Sequence, residues 1–323
     1  MKWKGVAAVV MASLIYGILP IFAKEGATGP MPPQCYTFFR FAVSCVAAGG
    51  FGLLQRASFR VTRRQLLELA CFGVAGFGFT NFFLVISYLY IPVGLATMCH
   101  FSFPILVTIA MMAVFREKCT GPKLAAIFLS LSGLLFILLS DRQLSVLGLL
   151  AALASSITYG LYVISNDRCQ YRTLNRYVIV FYVCLFAALF FGCFTAVQGQ
   201  LTVHGSAKQW GCIMVSGLTS ILAIYGMAAG IQILGATTAS FLNMLEPVTS
   251  VVSDILVYRS IPTLATGAGS ALMLLSILLV SLDERLGELK LRRAASAGLP
   301  PDAPEGLPQE EAPPQKESSA ATR

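Results

Sequence analysis

Residues 5–17 read GVAAVVMASLIYG and residues 148–160 read GLLAALASSITYG, 143 positions later. The same offset sets residues 96–116, ATMCHFSFPILVTIAMMAVFR, over residues 239–259, ASFLNMLEPVTSVVSDILVYR. Gly5 thus matches Gly148, Ser13 matches Ser156, and Tyr16-Gly17 matches Tyr159-Gly160. Ala96, Pro104 and Arg116 match Ala239, Pro247 and Arg259 in turn. One register held over so long a stretch marks an internal duplication. Each copy carries five apolar stretches, and because five is odd the two copies must lie in opposite orientations across a bilayer.

Composition points to that bilayer. Of 323 residues, 56% are apolar and 12% charged, and the mean hydropathy is +0.75; soluble domains carry about 25% charged residues. The net charge of +8 sits mainly in short loops between apolar runs, where it speaks to membrane orientation and not to nucleic acid. Nine cysteines lie within or beside apolar stretches, with no Cys-x-x-Cys pair and only two histidines in the chain. They read as small buried hydrophobes, not as disulfides or metal ligands.

A spanning helix needs roughly 20 apolar residues. Ten spans are expected, near 5–23, 35–54, 67–87, 91–115, 123–140, 144–165, 177–197, 210–231, 235–258 and 263–282. The fold class is therefore all-α integral membrane: ten transmembrane helices as two inverted five-helix repeats, residues 1–140 and 141–282. Residues 1–23, with Lys2 and Lys4 ahead of an apolar core, have the look of a signal peptide, but the matching Ser-x-x-Tyr-Gly of the sixth span marks them as a retained first helix. If the N-terminus is cytoplasmic, sixteen Lys and Arg fall on the cytoplasmic side and only Lys24, Arg142, Lys208 and Arg259 on the other. That bias places both termini in the cytoplasm. From Asp283 the chain turns to Pro, Glu, Ala, Ser and Gln, so 286–293 reads as a short basic helix and the remainder of 283–323 as a disordered tail.

Polar groups at membrane depth need a partner or a water-filled cavity. In the fourth span Thr97, His100, Pro104 and Thr108 share one helical face; in the ninth, Ser240, Asn243, Glu246-Pro247, Ser250 and Asp254 repeat the arrangement. These repeat-related faces are expected to meet at mid-membrane, where Pro104 and Pro247 would kink their helices and free carbonyls to line a cavity. Glu246 lies roughly 17 Å into its span at 1.5 Å per residue. It reads either as a proton-coupling or substrate-binding carboxyl, or as a structural anchor at the Pro247 kink. Arg40 and Asp254 lie at matching depth near the outer end, as an ion-paired gate or as a snorkelling side chain and a solvated helix end. His100 is a substrate ligand, a proton shuttle or a satisfied core histidine. Tyr16, Tyr159, Asn81, Tyr88 and Tyr225 add hydroxyls, an amide and ring faces, or serve as packing. Glycines such as Gly73, Gly76, Gly78, Gly226 and Gly230 read as close-packing positions.

The chain resembles the EamA type of the drug and metabolite transporter superfamily over about residues 5–282. The resemblance rests on the two Tyr-Gly segments, Phe39-Arg40-Phe41, Gly94-Leu95-Ala96 through Pro104-Ile105-Leu106 to Arg116-Glu117-Lys118, and Ala239-Ser240 to Leu245-Glu246-Pro247-Val248. It implies a basket of helices around a central cavity, fifth and tenth helices that are peripheral and linked to homodimer contacts, and passage of a small metabolite, amino acid or drug, proton-coupled or facilitative. Two departures stand out: Phe103 occupies the first-repeat position of Glu246, and Arg259-Ser260 stands where the family often continues with an acidic residue.

No phosphate-binding loop, His-Glu-x-x-His or paired-Asp metal motif is present, so no cofactor is expected. The expected partners are a small-molecule substrate, the lipid bilayer and protons. A nucleotide-sugar or phosphorylated-metabolite carrier is the rival within the superfamily, and would want several cations in the cavity where Arg40 stands alone. An intramembrane enzyme would need a dyad such as His100 with Ser102, but residues two apart on a helix point to different sides. A non-transporting sensor is disfavoured by the inverted duplication.

Overall fold

A computed structural model describes residues 2–27, 29–91, 93–116, 120–138 and 145–259, with scattered residues from 264 to 282. The helices are α1 (Lys2–Ala27), α2 (Pro33–Leu54), α3 (Arg63–Cys71) continued through a π-helical turn (Phe72–Gly78) into α4 (Phe79–Tyr90), α5 (Val93–His100), α6 (Phe103–Phe115), α7 (Gly121–Leu138), α8 (Val146–Arg168), α9 (Arg176–Val197), α10 (Ala207–Leu234), α11 (Ala236–Leu242) and α12 (Leu245–Tyr258). Seven helical segments among the described residues are long and apolar enough to cross a membrane, and α6 is a shorter apolar one. The protein is an all-α membrane protein built from two repeats. The tenth expected span lies largely, and the expected 286–293 helix and tail wholly, outside the described residues.

Contacts between helices follow the duplication. The first span (α1) packs along the eighth (α10), and its repeat-mate α8 packs along α4, the mate of α10; α2 packs on its own mate α9. The correspondence extends to single residues. A Cβ on Gly5 would meet Ile233 and Leu234, and one on Gly148 would meet Tyr90 and Ile91, each pair 143 positions apart from its counterpart. Left-handed backbone recurs in register as well: Arg56 (φ 52°) with Gly199 (φ 66°), and Arg116 (φ 55°) with Arg259 (φ 53°). At the first of these pairs the hydrogen bonds also match, Ala57 N to Gly52 O and Gln200 N to Thr195 O, both 2.9 Å, an arrangement that closes a helix C-terminus.

Helix faces are sorted for lipid. On α8 Leu147, Leu150, Leu153, Ile157 and Leu161 are exposed at helical spacing, while Ala152, Ser155, Ser156, Tyr159 and Val163 are buried. Lipid tails are as apolar as leucine, so small and polar residues turn inward, where close approach and hydrogen bonds reward them. Two helices begin earlier than their apolar runs. Capping boxes formed by Thr62 with Gln65 and by Ser206 with Gln209 start α3 and α10 in polar sequence, which counting apolar residues passes over.

The largest departure from the expected spans concerns the fourth and ninth. Both are broken: α5 ends at His100 and α6 starts at Phe103, while α11 ends at Leu242 and α12 starts at Leu245. Pro104 and Pro247 therefore do not kink continuous helices. They sit in the first turn of a new half-helix, where the missing N–H would have had no intrahelical partner and the fixed φ suits a helix start. At the second break Glu246 N donates to Asn243 O at 2.9 Å, a tightened turn that takes the place of the bond Pro247 cannot make.

Gly17 and Gly160 are identical by sequence and different by surroundings. A Cβ at Gly17 would lie 2.5 Å from Thr249 Cβ and 2.8 Å from the Glu246 carbonyl oxygen, whereas at Gly160 the nearest atom, Val107 Cγ2, is 3.7 Å away. Gly17→Ala is expected to destabilise by about 1–3 kcal/mol through overpacking; Gly160→Ala should be neutral or gain up to about 1 kcal/mol from helix propensity. Melting curves of the two purified variants in detergent check this, and equal shifts would refute it.

Candidate functional site: a charged cavity at the helix breaks

A cavity of about 360 Å³ lies between α1, α2, α4, α8, α10 and the two breaks. It runs from Tyr16, Tyr159, His100 and Glu246 past Arg40, Thr80 and Asn81 to Ala23, Pro33 and Leu89. The last three belong to the end of α1, the start of α2 and the end of α4, so the cavity extends toward the face opposite the N-terminus. The π-helical turn comes just before the stretch that supplies Thr80, Asn81 and Tyr88; π turns inside helices are frequent at functional sites.

Glu246 stands in the first turn of α12, where helix-end amides favour a negative group. Its Oε2 accepts from Asn243 Nδ2 at 3.1 Å, and the Ser13 hydroxyl is shared between Asn243 Oδ1 (2.9 Å) and the Val9 carbonyl (2.8 Å). The amide is thereby held with its nitrogen toward Glu246. Asn243 itself is fully buried behind the carboxyl. The repeat-mate of Glu246, Phe103, sets its ring edge-on to Tyr159 at 4.7 Å, so what is a carboxyl beside Tyr16 in one half is an aromatic pair in the other.

His100 Nδ1 lies 3.0 Å from Ser155 Oγ, whose own proton goes to the Ala152 carbonyl at 2.6 Å. Nδ1 must therefore donate, and in the neutral ring Nε2 is left as an acceptor. Ser102, the other half of the dyad weighed from sequence, pairs instead with Ser156 at 2.8 Å and the Cys99 carbonyl at 2.8 Å. Arg40 donates Nη2 to Asn81 Oδ1 at 2.8 Å, and its guanidinium lies 4.6 Å from the centre of the Phe41 ring. Asn81 is fixed in turn by donating Nδ2 to the Phe77 carbonyl at 2.9 Å. Arg40 Nε and the Tyr16 hydroxyl are buried without a hydrogen-bond partner. Asp254 belongs to α12, but its side chain lies outside the described residues, and Arg40 meets no carboxylate among those described.

Tyr225 is placed elsewhere: its ring packs on Tyr177 at 4.7 Å with Arg176 at 5.9 Å, away from the cavity lining. Sequence reasoning passed over Tyr36, Thr37, Thr80 and Ser220, all of which line the cavity. Isolated hydroxyls in apolar helices commonly bond their own backbone, as Thr37 does to Pro33 O at 2.8 Å, so the sequence carries no signal that separates these from the rest.

Toward the N-terminal face polar side chains join the helix ends. Asp167 pairs with Arg168 (3.1 Å) and Arg172 (3.5 Å), Gln232 Nε2 donates to Arg172 O (2.8 Å), and Arg176 Nε donates to Gln232 Oε1 (2.9 Å). Glu68 Oε2 accepts from Gln170 N at 2.8 Å, joining α3 to the turn after α8. On the opposite face Lys208 pairs with Glu25, and Gln209 Nε2 donates to the Gly26 carbonyl at 2.7 Å.

A duplicated membrane bundle, with paired broken helices around a polar-tipped cavity, is the build of a membrane transporter. The chain belongs to the EamA-like transporter family, whose profile matches residues 3–139 and again 146–282. A relative from Salmonella typhimurium named as an uncharacterized inner membrane transporter, YicL, is 26% identical over 307 residues, covering 91% of this chain and 98% of that protein. A solved crystal structure superposes with a TM-score of 0.73 at 18% identity, over 87% of this chain and 98% of that one; at that identity the likeness concerns the fold.

Proposed function

We propose that the protein is a carrier of the cell membrane, with both termini cytoplasmic, that moves a small amphipathic solute by exposing the cavity to each side in turn. The observation that carries this reading is the one-sided cavity: its described lining runs from the helix breaks to the face opposite the N-terminus, and at the other face Asp167, Arg172, Gln232 and Arg176 tie together the ends of α8, α9 and α10. With the orientation given by the basic loops, this is an outward-facing state. Glu246 is the coupling group, because it lines the cavity and its second oxygen has no partner among the described residues, so a proton arriving from the open side can reach it. Arg40 and the tyrosines serve substrate, and an Arg40–Asp254 outer gate remains a role for the closed-outside state.

Cysteine accessibility tests the reading. A cysteine replacing Leu84 in the cavity wall should react with an impermeant maleimide added outside, and one replacing Asn166, buried beneath the network, should not. Adding Gln232→Ala, which removes two bonds of the network, should raise reactivity at position 166 from the cytoplasmic side. Reaction at 166 but not 84 from outside would reverse the assignment.

A further inference from the structure

We propose that α8 carries a second binding subsite on the cytoplasmic side, formed by the Tyr162 hydroxyl and the Asn166 side-chain oxygen. It takes a neutral hydrogen-bonding group: water, or a hydroxyl or amide of the solute. This rests on the carrier reading and adds to it where the inner side opens. In an inverted duplication, the wall that one repeat presents to the outside has its counterpart facing the cytoplasm in the other state. The 143-residue offset carries Leu19 and Ala23 of the cavity lining onto Tyr162 and Asn166 of α8. Thr37 and Phe41 fall on Val180 and Cys184 of α9, and Leu84 falls on Met227 of α10. All five counterparts are buried here, and all but Asn166 belong to the main hydrophobic core. What is cavity in one half is core in the other. The offset also sends Pro33 and Leu89, at the outer end of the cavity, to Arg176 and Gln232, which hydrogen-bond each other at 2.9 Å at the N-terminal face.

Two polar atoms stand out of place in that packing. The Tyr162 hydroxyl and Asn166 Oδ1 are buried without a hydrogen-bond partner, and the two residues lie one turn apart on one face of α8. Asn166 Nδ2 donates to the Tyr162 carbonyl at 2.9 Å, which holds the amide in place while Oδ1 stays unmet. The counterparts Leu19 and Ala23 are apolar, so the duplication itself asks for no polarity here. An unmet buried polar group costs enough to shift an equilibrium roughly five- to a hundredfold. That cost vanishes in a state where the same face meets water or solute. The pair offers a hydroxyl that donates and an amide oxygen that accepts, the set for another hydroxyl or a primary amide. Neither group is charged, and Arg40, the cation of the outer cavity, has Val183 as its counterpart; a neutral group is the match.

The test is labelling of the wild-type chain in inside-out vesicles with a small charged methanethiosulfonate, read peptide by peptide by mass spectrometry. Of the buried cysteines 35, 45, 99 and 184, Cys184 alone has its counterpart, Phe41, in the cavity lining. Cys184 should therefore react from the cytoplasmic side although it is fully buried here, and Cys45, 7% exposed, should not. Tyr162→Phe removes the unmet hydroxyl from the state seen here and should slow labelling of Cys184 roughly fivefold or more. Tyr171→Phe is the control: that side chain is equally buried, but its hydroxyl is paired with Ser165 at 2.6 Å, so its removal should not slow labelling. 3-Methylbutanamide and its N,N-dimethyl derivative, which lacks the donor, separate the two ligands. Protection of Cys184 by the first alone assigns the subsite to the solute; protection by neither assigns it to water. Equal protection by both, equal labelling of Cys45 and Cys184, or an unchanged rate in Tyr162→Phe overturns the proposal. The wild-type labelling stands on its own if a variant fails to fold. If Cys45 or Cys99 is labelled from the cytoplasmic side and Cys184 is not, the subsite falls and the carrier stands; if no buried cysteine is labelled from that side, both fall.

Discussion

Glu246→Gln is expected to yield a folded protein whose flux in proteoliposomes no longer changes with pH. Glutamine keeps the shape of the side chain and an oxygen to accept from Asn243 Nδ2, now 3.1 Å from Glu246 Oε2, so packing at the start of α12 survives. What it loses is the ability to take up and release a proton, and the charge that holds a cationic group. Hydrogen bonds to charged groups contribute about 1.5–3 kcal/mol, so flux of a cationic solute at subsaturating concentration should fall roughly ten- to a hundredfold. The other titratable and charged groups around the same cavity, Tyr16, Tyr36, Arg40, Tyr88, His100 and Tyr159, remain in the variant. A pH profile that keeps its shape would therefore move coupling away from Glu246 and onto one of them.

The second large effect is structural. α1 and α10 run antiparallel in close contact, and a Cβ on Gly226 would lie 2.6 Å from the Ala8 carbonyl oxygen, while one on Gly230 would lie 2.0 Å from Val9 Cγ2. The Ala8 contact is with backbone, which cannot rotate aside. Gly226→Leu must push the two helices apart over the length that carries Tyr16 and Ser13, and loss of folded protein is expected, beyond the typical 1–3 kcal/mol of a mild overpacking. Gly211, on the same helix, has open space around its Cβ position, so Gly211→Leu should be accepted. Size-exclusion profiles and melting temperatures of the two variants decide the matter; equal tolerance would mean that α1 and α10 are not so close.

Much of the fold is legible in the sequence because the duplication is in register. An offset read from Tyr16-Gly17 and Tyr159-Gly160 also relates the left-handed residues Arg56 and Gly199, and Arg116 and Arg259, which no hydrophobicity count would have placed. The breaks in the fourth and ninth spans were not legible in the same way. A proline within an apolar run signals either a kink or a new helix start, and only the backbone around His100–Phe103 and Leu242–Leu245 tells which. At the site, depth along a helix is readable from residue number but direction around it is not. Arg40 and Asp254 share a depth, yet the partner seen for Arg40 is Asn81 of the third span, and no spacing in the sequence shows that the two side chains face each other. Tyr225 fails for the converse reason: an aromatic in a transmembrane helix looks the same to a sequence reader whether it faces a cavity or, as here, Tyr177. The asymmetry of Glu246 against Phe103 was visible from the start, and its consequence, a carboxyl on one side of the pseudo-twofold axis and an aromatic pair on the other, needed the structure.

The orientation of the two repeats can be measured directly. Ser58 and Leu201 are exposed, repeat-equivalent residues, one in the loop after α2 and the other in the loop after α9. In two halves of opposite orientation they must lie on opposite faces. Single cysteines at each position, labelled with an impermeant maleimide on intact cells, should separate cleanly: position 201 reacts at once and position 58 only after the membrane is opened, as should a cysteine at Thr173. Reaction of positions 58 and 201 from the same side would contradict the inverted duplication, and with it the cavity that each compartment is proposed to reach in turn.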